Sequence, residues 1–336
     1  MVGSRSALLD PVSHPGKPNR NPARLAHESR KASSVVTQPF HTPYDGSSKP
    51  FTIGLKPLDL DRWLEIDEHR QTYLAEKRRL YSEIPEKVFV AEAGTEDAQQ
   101  EVLDLVTEHL RRHAPELTTA AHEALRQMPN GDIPAQPLKT TSLLVQEDLV
   151  LMRRSEAGWR LVAASLCFPS SWSLEEKFGR ALEDIHTPVP GFGRGTRTAD
   201  IITRIFDKLQ VAQPVERMNW SLQAGAALYL PLSNAGRIER AVEKPSRFPE
   251  ADAAANAFMR VERQTLRRLP ISGDILFTIR IYLDPMRILE RHAERATLAA
   301  SFAAQLATLD DAQVDYKGLS ADRERLIAAL NHIACS

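Results

Sequence analysis

Apolar positions along this chain recur first at helical spacing and then at strand spacing, with the change near residue 140. Between residues 57 and 80, Leu58, Leu60, Trp63, Leu64, Ile66, Tyr73, Leu74 and Leu80 stand on a heavily charged background. Between residues 96 and 125, Val102, Leu103, Leu105, Val106 and Leu110 repeat the pattern. Both stretches predict amphipathic helices that must bury one face. Their histidines (His69, His109, His113 and His122) sit among charged residues and read as solvated.

Beyond residue 140 the signal becomes extended. LLVQEDLVLMRR and WRLVAASLCF read as two strands joined by SEAG, a short glycine-containing loop that predicts a hairpin. MNWSLQ, ALYL, AFMRVERQTLRRL and DILFTIRIYLD predict further strands, the last two joined across PISG. Helices are expected at 173–185 and 198–209, and again in the alanine- and leucine-rich segments 286–309 and 321–333. Hairpins outnumber crossover units. The predicted class is therefore α+β: a largely antiparallel sheet with helices before, inside and after it, enclosing a pocket on its helical side.

Composition narrows the chemistry. The 336 residues carry 43 Lys+Arg against 44 Asp+Glu, a balance that gives no global pull toward nucleic acid or anionic membrane. No apolar run approaches the ~20 residues of a membrane span, so a soluble, cytoplasmic setting is expected. Residues 1–50 lack hydrophobic periodicity, are rich in Pro, Ser, Arg and Asn, and predict a disordered tail. An Arg- and Ser-rich start also fits a transit peptide, although its prolines and missing amphipathic helix weigh against one. Two cysteines, Cys167 and Cys335, exclude a disulfide framework, a Cys-rich zinc site and a four-thiolate iron–sulfur cluster within this chain. Cys167 lies in an apolar run and reads as a buried small hydrophobe.

The segment FPSSWSLEEKFGRALEDIHTPVPGF carries the strongest chemical signal. Ser173 and Glu176 have capping-box spacing, and Leu174, Phe178, Ala181, Leu182 and Ile185 share one helical face. Thr187-Pro188-Val189-Pro190-Gly191 then stops the helix just after His186. One imidazole is thus held rigidly at a helix C-terminus, with Glu183 and Asp184 as candidate acceptors for its second ring proton. No other histidine lies between His122 and His292, whereas a zinc or non-haem iron site needs two or three ligands. A lone, fixed histidine suits haem, whose porphyrin supplies four ligands; it equally suits a cation capping the helix end. The glycine-rich GFGRGT (residues 191–196) follows a helix and a Pro-rich stop rather than a strand, which argues against a dinucleotide fingerprint.

That segment, followed by ERMNWSL, RVERQTLRRLPISGDILFTIRIYLDP and DYKGL, resembles the haem-dependent oxidative N-demethylase family. The similarity runs from about residue 51 to the C-terminus and takes in LVQEDLVLM. The resemblance implies a single haem-binding PAS-like domain over 51–336. Its parts would be a helical wrap at 57–130, a five-stranded antiparallel sheet core with a helical insert at 140–285, and C-terminal helices at 286–334. It further implies haem b, and NADPH-driven oxidation of dimethylamine by O2 to methylamine and formaldehyde. Electrons would arrive from partner subunits carrying FMN and 2Fe-2S centres, and tetrahydrofolate would accept the formaldehyde. Its axial histidine, carried onto this sequence by position in the matched block, is His186.

Pocket candidates follow from the strands. In 259–268, Arg260, Glu262, Gln264 and Arg268 share one parity, and Val261, Arg263, Thr265 and Arg267 the other. Either this is an exposed edge strand, or Arg260 and Arg263 reach haem propionates while Glu262 holds a protonated amine. Arg217 and Asn219 are further candidates, Asn219 as a hydrogen-bond donor toward oxygen, with Arg280 on the polar face of the last strand. Two rival readings share the scaffold: a haem-PAS gas or ligand sensor without turnover, and an acid–base or interaction protein without haem.

Overall fold

The computed structural model describes residues 38–117 and 136–336. Both predicted hairpins form. β3 (Asp148–Ser155) and β4 (Gly158–Ser165) turn at Gly158, whose φ of +98° is a conformation that side chains resist. β6 (Ala257–Arg268) pairs from Phe258 to Arg268 with the whole of β7 (Ile275–Pro285). β5 (Val215–Ala224) contains the predicted MNWSLQ strand and pairs with β6. Two short strands, β1 (Lys56–Pro57) and β2 (Phe89–Ala91), add to the edges. The sheet is antiparallel throughout in the order β1-β5-β6-β7-β3-β4-β2, so it has seven strands where five were expected. ALYL contributes only an isolated bridge between Leu230 and Ser170.

β6 is a central strand with both faces covered, which excludes the edge-strand reading of its charges. On one face Leu149, Leu151, Val162 and Leu276 meet Leu58, Trp63, Val102 and Val106 from the N-terminal segment and the helix Glu96–His113. On the other, Val150, Met152, Leu161 and Ile279 meet Phe168, Leu182 and Phe206 from the insert between β4 and β5. The helix expected over 57–80 begins only at Arg70, because 56–62 are taken by β1 and the 3-10 turn Leu60–Arg62. His109 is buried edge-on to Trp63, and burial pushes its imidazole down to about 4; it is not solvated. His122 lies outside the described residues.

Residues 38–50, assigned to the tail by composition, pack on the folded body. Tyr44 is fully buried against Phe302, and His41 pairs with Glu65 at 2.7 Å. Residues 1–37 lie outside the described residues, and no described helix is long and apolar enough to cross a membrane.

The insert leaves β4 under tight control. Asp148, fully buried at the start of β3, accepts the N–H groups of Cys167 and Phe168, both at 2.8 Å. Arg260, fully buried on β6, donates to the carbonyl of Phe168 at 2.5 Å. The expected single helix over 173–185 is split into Leu174–Lys177 and Leu182–His186. Gly179, at φ +73°, breaks it and donates to the carbonyl of Leu161 at 2.9 Å, while Leu161 donates to the carbonyl of Arg180 at 3.1 Å. Backbone bonds to β4 thus outcompete helix continuation. The capping box does not form: Ser173 makes no side-chain cap bond, and Glu176 accepts the N–H of Asn234 instead.

Removing the Asp148 carboxylate orphans two buried donors at ~1–3 kcal/mol each. Asp148→Ala is therefore expected to lose about 2–6 kcal/mol of stability in urea unfolding, and Asp148→Asn, which keeps one acceptor oxygen, less.

Candidate functional site

A cavity of about 260 Å³ lies between the insert and its face of the sheet. Its sheet wall changes character from strand to strand. Val150 and Met152 of β3, Leu161 of β4, and Phe277 and Ile279 of β7 make it apolar in the middle. Arg217, Asn219 and Ser221 of β5 and Glu262 and Gln264 of β6 make it polar toward β1. Register places Asn219 directly opposite Glu262 and Arg217 opposite Gln264. Leu182, Ile185, Val189, Phe192 and Ile202 form the insert wall, and Phe51, Arg247, Tyr316 and Lys317 close the polar side.

His186 ends the short helix Leu182–His186 and faces this cavity. Its Nδ1 lies 2.9 Å from the carbonyl oxygen of Leu182. A carbonyl only accepts, so Nδ1 carries the hydrogen. Burial pushes the imidazole down to about 4, with the cations of Lys177 and Arg217 acting in the same direction. At neutral pH the ring is therefore uncharged, with a lone pair on Nε2. This removes the helix-capping cation reading. The expected partners Glu183 and Asp184 instead pair with Arg194. The backbone carbonyl takes their place.

Four sequence candidates converge on the cavity: His186, Arg217, Asn219 and Glu262. Three do not line it. Arg260 shares the face of Glu262, lies 3.5 Å from it, and is spent on Phe168, Gln223 and Leu228. Arg263 projects from the opposite face into Glu216 and the carbonyls of Trp63 and Arg62. Arg280, also on that face, binds Asp67 and lies over the rings of Tyr73 and Tyr282. The propionate role expected of these arginines has no support in their placement. Lys177, Arg247 and Lys317 line the cavity without having been singled out. For Lys317 the available signal was the DYKGL block, where Gly318 at φ +64° ends the helix Asp311–Lys317.

Among the described residues no group of three or more His, Cys, Asp or Glu side chains could hold a metal ion. His186 offers a single donor, in a cavity with apolar walls and cations on one side. That donor set fits a tetrapyrrole, which brings four ligands of its own, an apolar ring and acidic substituents.

Lys317 supplies a pH test. Burial pushes its ammonium down to about 8 from the ordinary 10.5, with Arg217 acting in the same direction. Between those values the unfolded chain binds the proton that the folded chain has lost, so this group's contribution to stability rises with pH. Between about pH 7.5 and 9.5, cofactor-free wild type is expected to gain about 1–2 kcal/mol on Lys317→Met, read from urea midpoints at each pH.

Residues 54–327 match a known family, described as haem-dependent oxidative N-demethylase, alpha subunit-like. The match takes in all seven strands, His186, and Arg217, Arg247, Glu262 and Lys317 of the polar side of the cavity. The chain belongs to the haem-dependent oxidative N-demethylase alpha subunit-like family.

Proposed function

We propose that this chain holds haem b through Nε2 of His186 and serves as the haem subunit of an amine N-demethylase. The substrate class is a small secondary amine of the dimethylamine type. The observation that carries this reading is the neutral imidazole itself, with Nδ1 tied to Leu182 and Nε2 free inside an apolar cavity. The hydrogen bond behind the ring fixes its tautomer and orientation and raises the basicity of the free nitrogen. Five long strands in the order β5-β6-β7-β3-β4, with one face covered by the insert, support a PAS-like description.

Haem, when bound, supplies oxidation of an N-methyl group by O2, which leaves as formaldehyde. The chain's own residues do the rest. Glu262 presents a carboxylate to a protonated amine, and Gln264 steadies it through a 3.0 Å bond. Asn219, its cross-strand neighbour, adds an amide donor. Val150, Met152, Leu161 and Ile279 exclude water from the space beside the imidazole. With two cysteines and no dinucleotide fingerprint, the chain is assigned no electron relay of its own. NADPH, FMN and 2Fe-2S centres belong in this scheme to partner reductase subunits, and tetrahydrofolate is the formaldehyde acceptor.

Full-length protein reconstituted with haem is expected to show a Soret band. Loss of a mere orienting partner costs metal sites about 10–100-fold, so His186→Ala should weaken haem by at least that much. An unchanged spectrum and affinity in the variant would overturn the assignment. Glu262→Gln removes a charge-assisted bond of ~1.5–3 kcal/mol, and dimethylamine is expected to bind the haem-loaded variant about 10–100-fold more weakly. With reductase partners added, amine-dependent NADPH consumption and formaldehyde release separate an enzyme from a sensor; amine binding without turnover indicates the sensor.

A further inference from the structure

The charges lining the cavity do not balance. Lys177, Arg217, Arg247 and Lys317 face a single carboxylate, Glu262, which already meets Arg260 and Gln264. Lys177 is spent beside His186, donating to the carbonyl of Ile185 at 2.6 Å. The other three gather on the side of the cavity toward β5, and each is fixed by neutral backbone. Arg217 donates to the carbonyl of Thr52 at 3.1 Å, and its buried Nε has no partner. Lys317, 7% exposed, gives one proton to the carbonyl of Trp220 at 2.6 Å and is flanked by the rings of Trp220 and Phe51. Arg247 donates to the carbonyls of Lys317 and Gly318 at 3.3 and 3.2 Å. Asp322 lies near Arg247 but is engaged by Ser246, Arg325 and the Arg247 backbone N–H.

Carbonyl partners orient a cation without neutralising it, and burying such a charge uncompensated is expensive. Glu262 attracts both Arg217 and Lys317, but one carboxylate already bonded to Arg260 and Gln264 does not balance three cations, of which Lys317 is buried and Arg217 and Arg247 half-buried. Resting on the haem reading above, we propose that Arg217, Arg247 and Lys317 form a carboxylate-binding pole of the cavity. Two sources of carboxylate suit this space: the propionates of the haem or, with dimethylamine replaced as substrate, the carboxylate of an N-methylated amino acid. The pole lies on β5 (Arg217), the connection after the helix Asn234–Glu243 (Arg247) and the end of the helix Asp311–Lys317 (Lys317), distinct from the arginines of β6 and β7, which serve the fold.

The test uses the full-length chain, titrated with haem and with haem dimethyl ester, whose propionates are blocked. Soret absorbance and tryptophan quenching give the affinities. If propionates occupy the pole, the ester binds wild type at least about tenfold more weakly than haem. Arg217→Gln and Lys317→Gln then each weaken haem about tenfold and leave the ester unaffected. If a substrate carboxylate occupies it, haem and ester bind alike, and sarcosine shifts the Soret band of wild type but of neither variant. The pole is overturned if haem and ester bind all three proteins alike and sarcosine acts on none or on all of them equally. The ester comparison needs no substitution, so a poorly folding variant does not blunt it. Absence of a Soret band with both porphyrins overturns the haem reading, and this inference with it.

Discussion

Two buried opposite charges hold three consecutive peptide groups of the chain, and the placement of the insert depends on them. Asp148 takes both N–H groups at Cys167 and Phe168, and Arg260 takes the Phe168 carbonyl, so the backbone is gripped where it leaves β4. Burying either ion alone costs several kcal/mol. Burial indeed pushes the Asp148 carboxyl up to about 6, while Lys77, the two N–H bonds and Arg260 pull against it. The cost is offset because each charge is hydrogen-bonded to buried backbone at Cys167 and Phe168. Gly179 and Arg180 make a second attachment to Leu161. The short helix Leu182–His186 starts directly after the second attachment, so these bonds set where His186 meets the cavity.

The sheet divides labour by face as well as by strand. On the face toward the N-terminal segment, Arg263, Arg280 and Tyr282 are absorbed by Glu216, Asp67 and Glu65, residues brought in from far along the chain. On the face toward the insert, polarity rises from apolar β3, β4 and β7 to charged β6 and β5. An apolar ring with acidic groups along one edge matches that gradient.

Local patterns were legible where a local cause governs. SEAG and PISG announced both hairpins, and the Thr187–Gly191 stop announced a fixed histidine. Strand parity correctly paired Glu262 with Gln264 but could not say which face of β6 met the cavity, because both faces are buried and both carry charge. The partners that claim Arg263 and Arg280 stand more than 190 residues away in some cases, as with Trp63 and Asp67. No spacing rule reaches that far. The split at Gly179 and the packing of 38–50 were likewise hidden, since each is decided by tertiary bonds rather than by propensity.

Cys167 lies between the two peptide N–H groups that Asp148 grips, directly behind cavity-lining Leu166 and Phe168. It has no solvent exposure, and burial together with the charge of Asp148 pushes its thiol up to about 12. Peroxide and related oxidants attack the thiolate rather than the thiol. The clamp that positions the insert therefore also holds the Cys167 side chain in its thiol form. The same carboxylate that fixes the insert thus leaves this side chain a poor nucleophile and a poor target for oxidants near neutral pH.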